Sequence, residues 1–156
     1  MSERYTRPEM AESWSDDTRY QLWTRIEVAV CRALCARGRI PKDAFDRIES
    51  SARVDPARVL EIEARVHHDV NAYLDALAEV VGPAARYVHL GLPSSDVLDT
   101  CLALQLRDAT ELVLAHLRQH GPKTNDVRHR HYPVLVAAGR QHVSLHVRIR
   151  IKVPPL

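Results

Sequence analysis

Two histidines and an aspartate in a row, His67-His68-Asp69, are the residues of this chain with the plainest acid–base chemistry. Imidazole titrates near neutrality and a neighbouring carboxylate can orient its tautomer, so the trio can donate or relay a proton. The same residues also read as a helix-capping aspartate beside two partly exposed histidines. A second stretch, Arg86-Tyr-Val-His-Leu-Gly-Leu-Pro-Ser-Ser-Asp-Val-Leu-Asp-Thr100, joins His89 and a glycine turn to a double serine, Ser94-Ser95, at the start of an apolar-periodic segment. Serines and an aspartate before a helix are N-cap types. The free N–H groups of a first turn, at the positive end of the helix dipole, favour a phosphate or carboxylate. His89 lies five residues before Ser94, close enough to face the same point. An ordinary capped helix after an ordinary loop accounts for this stretch equally well. Gly139-Arg-Gln-His142 sets an arginine and a histidine two residues apart. Arg4-Tyr5 offers a bidentate phosphate binder beside a ring that stacks or hydrogen-bonds, although most terminal pairs are simply solvated.

The elements that must hold these groups read as helices. Ser15 followed by Asp16 and Asp17 is a helix start, and Tyr20, Trp23, Ile26, Val30 and Leu34 recur at steps of three and four until Gly38, predicting one amphipathic helix over 16–37. Pro41 at a first helical position, with Phe45 and Ile48 on one face, predicts a short second helix. Asp55-Pro56 repeats the start signal ahead of Val59, Ile62 and Val66. Asp69 is expected to cap a further helix carrying Val70, Tyr73, Leu74, Leu77 and Val80/Val81, ended by Gly82-Pro83. That break puts the histidine pair at a junction, where side chains reach a cleft more readily than in mid-helix. Beyond a Ser94-Ser95 cap, Leu98, Leu102, Leu106, Ala109, Leu112, Val113 and Leu117 continue a helical stripe that Gly121-Pro122 interrupts. The remainder alternates apolar and basic residues, as from Val143 to Val153, with the period of a strand.

Composition bounds the possibilities. The 156 residues, 46% hydrophobic and 27% charged, suffice for one globular domain with a real core, and the abundance of Ala, Leu, Arg and Glu with five glycines leans to helix. No stretch approaches the roughly 18 apolar residues of a membrane span, and the N-terminus lacks the basic start and apolar core of a signal peptide, so a cytoplasmic protein is expected. Cys31, Cys35 and Cys101 form no disulfide framework, and no second Cys or His pair completes a metal set around Cys31 and Cys35; small core residues are expected. The net charge of +2 hides an asymmetry: residues 1–115 carry 14 Lys and Arg against 19 acids, residues 116–156 carry 8 against one. Such a shift marks a boundary, a tail or a change of origin. The basic end has no interleaved aromatics beyond Tyr132, which argues against a nucleic-acid binder.

Taken in order, Glu3-Arg-Tyr-Thr-Arg-Pro-Glu-Met10, the Trp14 to Trp23 helix start, Ile40-Pro-Lys42, Leu60-Glu-Ile-Glu63, His67-His-Asp-Val70 and the Arg86 to Thr100 stretch resemble the N-terminal part of the adenylosuccinate lyase family, within the fumarase/aspartase superfamily. The resemblance covers about the first 115 residues. It implies an all-α fold: a helical N-terminal domain over 1–112, then the start of the central helix bundle with a divergent basic tail over 113–156. It further implies a homotetramer with sites assembled from several subunits, no cofactor or metal, and elimination of fumarate from adenylosuccinate and the related succinyl-carboxamide nucleotide. By resemblance Arg4 and Tyr5 contact the nucleotide, while His67, His68 and Asp69 line the substrate site, with His68 catalytic. His89 matches the histidine near the phosphate, and Ser94 and Ser95 match the substrate loop, where Pro93 replaces a threonine and so removes a hydroxyl and an N–H. His142 is the one candidate for the general acid, on a Gly-Arg-Gln-His run in place of Gly-Arg-Thr-His. The serine loop that carries the family's base does not occur in the sequence, so a truncated or inactive form is expected. The alternatives left open are a related lyase or cycloisomerase, and a non-catalytic nucleotide-binding or subunit-interaction module.

Overall fold

A computed structural model describes residues 6–120, and these contain α-helices, one 3₁₀ segment and no strand. The all-α expectation holds for them. The helices are α1 (Pro8–Ser13), α2 (Asp16–Ala36), α3 (Lys42–Ser51), α4 (Pro56–Val66), α5 (Asp69–Val81) and α6 (Ser94–His120), with the 3₁₀ segment Gly82–Tyr87 between α5 and α6. Arg4, Tyr5, the Gly139–His142 run and the alternating basic end lie outside the described residues.

Local chemistry explains most of the boundaries. The Ser15 hydroxyl accepts from the Thr18 N–H at 3.1 Å and Asp16 and Asp17 occupy the first turn, so α2 begins where the sequence says it should. Gly38, at φ 70°, takes the left-handed conformation just beyond the helix that side chains with a Cβ resist. Pro41 precedes α3 and is not its first residue, and Phe45 and Ile48 are its buried pair, as expected. Asp55 caps α4 by accepting from the Ala57 N–H at 3.0 Å, with Pro56 at the first helical position.

Two expectations needed correcting. The buried line of α2 runs Tyr20, Trp23, Glu27, Cys31, while Ile26, Val30 and Leu34 are only half-buried. A glutamate sits on the buried face because it has a partner there, which hydropathy alone does not register. Likewise Val66 ends the α4 stripe exposed; Val59 and Ile62 are the residues that α4 buries.

The core forms where α4 and α5 pack as an antiparallel pair across the histidine turn and meet α2 and α3. At its centre the ring of Tyr20 lies 5.4 Å from Trp23 and 6.1 Å from Tyr73, and Trp23 meets Tyr73 edge-on at 5.3 Å. Such pairs contribute about 0.5–1.5 kcal/mol beyond the area they bury. The Tyr73 hydroxyl donates to Thr24 Oγ1 at 3.0 Å, which donates in turn to the Tyr20 carbonyl at 2.9 Å, so the buried Tyr73 hydroxyl is satisfied. Val97, Cys101 and Gln105 are the buried side of α6, and the Gln105 amide donates to the Ser13 carbonyl at 2.9 Å, tying α6 to the end of α1.

Candidate functional site

The histidine pair lies at the α4–α5 junction. His67 closes α4 in the left-handed region at φ 53°, its N–H donating to the Glu63 carbonyl at 2.8 Å, and its side chain is exposed. The N-cap of α5 is His68, not Asp69: Nδ1 of His68 accepts from the Asn71 N–H at 3.3 Å, and Asp69 stands one residue inside the helix. An aspartate is the commoner cap, but once His67 turns the chain, His68 is the extended residue at the helix start, so its imidazole takes the role. An accepting Nδ1 puts the proton of the neutral ring on Nε2, leaving that nitrogen as the donor. Asp69 Oδ1 lies 3.5 Å from that Nδ1 and accepts from the Val70 N–H at 2.7 Å. The carboxylate therefore serves the first turn of α5 more than the imidazole.

Asp69 also acts across the fold. Burial works against the charge of Arg19 on α2, but the hydrogen bond from Arg19 to the Tyr20 hydroxyl and the fields of Tyr20, Asp16 and Asp69 outweigh it, leaving the guanidinium more basic than usual. Arg19 lies over the Tyr20 and Trp23 rings at 4.9 and 5.6 Å.

The second stretch begins with the 3₁₀ segment, which the sequence reading did not anticipate. Gly82, at φ 74°, lets the chain leave α5, and the segment carries it to Tyr87. His89 then adopts φ 60°, making His67 and His89 the two non-glycine residues with positive φ among those described. Histidine tolerates this region better than most side chains, but the conformation is still sparsely populated and collects at functional sites. The Leu92 N–H reaches the His89 carbonyl at 3.4 Å, closing the turn that leads to α6. That helix starts at Ser94 itself, so Ser94 and Ser95 stand in its first turn and not ahead of it as a cap; Ser94 is half-buried and Ser95 exposed. Fixed φ at Pro93 suits the position immediately before, and its carbonyl accepts from the Asp96 N–H at 3.0 Å.

Glu27 belongs to the site without belonging to any motif of the sequence. This glutamate is fully buried in mid-α2, accepts from the His89 N–H at 2.9 Å through Oε2, and lies 2.6 Å from His89 Nδ1 through Oε1. The signal was an acid on the buried face of α2, four residues from Trp23 and from Cys31. Its meaning depends on a partner 62 residues away. The same carboxylate adds to burial in pushing the Cys31 thiol up to about 11.

Residues 3–144 match a family described as lyase. The chain is 50% identical over 144 residues to an adenylosuccinate lyase of Synechocystis sp., aligning 91% of this chain with 33% of the relative, and 40% identical over 145 residues to that of Aquifex aeolicus, again 33% of its length. Among solved structures, a 3-carboxy-cis,cis-muconate lactonizing enzyme from Pseudomonas putida superposes with a TM-score of 0.66 at 38% identity, covering 72% of this chain and 27% of that one. A fumarate lyase from Mesorhizobium sp. BNC1 does so with a TM-score of 0.65 at 28% identity, covering 70% and 26%. The chain thus belongs to the lyase family, as a segment spanning about one third of the length of its adenylosuccinate lyase homologues.

Proposed function

We propose that this segment supplies the substrate-holding part of an adenylosuccinate lyase-type site, acting in the elimination of fumarate from adenylosuccinate and its succinyl-carboxamide relative. The observation that carries the reading is that, among the described residues, both non-glycine residues with positive φ are histidines, His67 and His89, each turning the chain between helical segments inside a stretch that the family resemblance assigns to substrate. His67, His68 and Asp69 line the substrate on one side, with His68 relaying protons to and from it. His89, with Ser94 and Ser95 in the first turn of α6, receives an anionic group, since first-turn N–H groups and the helix dipole both favour negative charge. Arg4 and Tyr5 complete the nucleotide contacts and His142 acts as general acid, as the resemblance implies.

Ligand-induced stabilisation tests this. AMP or adenylosuccinate at 100 times its dissociation constant stabilises a folded chain by about 2.7 kcal/mol, read as a rise in melting temperature. His89→Ala is expected to remove most of the rise while leaving the unliganded melt cooperative. No rise with either nucleotide in the unmodified chain sinks the reading.

The same reading makes the chain part of a homo-oligomer. Leu102, Leu106, Val113 and Leu117 support it, forming an exposed apolar line along one side of α6.

A further inference from the structure

We propose that Glu27 is the positioning residue of His89: it fixes Nδ1 as a donor and turns Nε2 toward the substrate anion. The proposal rests on the reading of His89 as a substrate contact, and extends it to a residue one helix away.

A carboxylate only accepts hydrogen bonds. With Oε1 at 2.6 Å from Nδ1 and Oε2 at 2.9 Å from the backbone nitrogen, Glu27 holds the main-chain N–H and the Nδ1 of His89 as donors. The two bonds constrain different freedoms. The bond to the main chain holds the turn at φ 60°, and the bond to the ring sets its rotation and tautomer. Nε2 is then the one ring nitrogen left for a ligand, and His89 keeps 18% of its side chain exposed while that of Glu27 keeps 1%. A dry carboxylate behind the ring also supplies the counter-charge when an anion in front of it draws the imidazolium form. His68 shows the opposite arrangement, since its Nδ1 accepts from a backbone N–H. The two histidines are therefore set as different tautomers by their own surroundings, one by a helix start and the other by a buried acid.

A glutamate that merely filled the core would not select a tautomer, and this is what the test reads. The full chain, labelled with ¹⁵N-histidine, is followed over pH until the His89 ring is neutral. Nδ1 is expected to carry the proton. In Glu27→Gln the amide oxygen can satisfy the backbone N–H, which leaves the NH₂ group against Nδ1; Nδ1 becomes an acceptor and the proton moves to Nε2. Nε2–H of that neutral ring still donates to a phosphate but without the charge that the carboxylate balances, so AMP affinity is expected to fall about tenfold, the difference between a charge-assisted and a neutral hydrogen bond. Glu27→Asp keeps the charge but withdraws it by one methylene, and is expected to retain the Nδ1 proton with a smaller loss of affinity.

A wild-type ring protonated on Nε2 overturns the proposal without recourse to any variant. So does a folded Glu27→Gln chain with unchanged tautomer or unchanged AMP affinity. Should Glu27→Gln fail to fold, the wild-type spectrum and Glu27→Asp decide. A wild-type chain that binds no AMP but shows the tautomer and its switch overturns the nucleotide reading and upholds the assignment of Glu27 to His89.

Discussion

At the scale of single residues, the two histidine turns store conformational cost where the chemistry is expected. A side chain with a Cβ in the left-handed region gives up roughly 1–2 kcal/mol, less for histidine than for branched residues. His67 is the cleaner place to measure it, because it is exposed and its N–H bond to Glu63 survives substitution. His67→Gly relieves the strain but loosens the unfolded chain, so its stability is expected to stay within about 0.5 kcal/mol of wild type. His67→Val has no such relief and is expected to lose about 1–2 kcal/mol. Urea unfolding of the pair checks this, and a destabilised His67→Gly would show that the imidazole itself holds the junction together.

Elements differ in how fully their faces are used. Helices α2 and α5 meet through Tyr20, Trp23 and Tyr73, whereas α6 buries Val97, Cys101 and Gln105 and leaves Leu102 at 47% and Leu117 at 55% exposure. Leucines at such spacing bury their surface against a partner helix in a bundle. If α6 assembles with copies of itself, Leu106→Glu with Leu117→Glu places charge on that line and is expected to lower the sedimentation coefficient toward that of a monomer, with helix content unchanged. A wild-type chain already monomeric at tens of micromolar would refute assembly through α6. These helices were legible in the sequence because caps and apolar periods are local. The 3₁₀ segment was not, since its Gly-Pro start reads only as a stop.

For the whole molecule, the buried acids make stability depend on alkaline pH. Burial, with the carboxylate of Glu27, raises Cys31 from 9.0 to about 11, and burial raises Cys101 and Tyr73 as well. Each keeps its proton longer folded than unfolded. Between the two values the unfolded chain sheds the Cys31 proton and the folded chain does not, so stability is intact below pH 9.0 and falls as pH climbs toward about 11. Melting temperatures over that range should fall less steeply in Cys31→Ala than in wild type; parallel curves would remove Cys31 from the account. Here too the sequence and the fold divide cleanly. Sequence alone determined the helical class, the cap at Ser15 and the Asp55-Pro56 start, because each depends on residues within one turn of another. It also singled out His67, His68 and His89, from their types and their place between helices. Only tertiary structure decided which face of α2 is buried and that Glu27 reaches His89. Those depend on contacts that exist only once distant segments pack, and a buried charge is stable only where such a contact meets it.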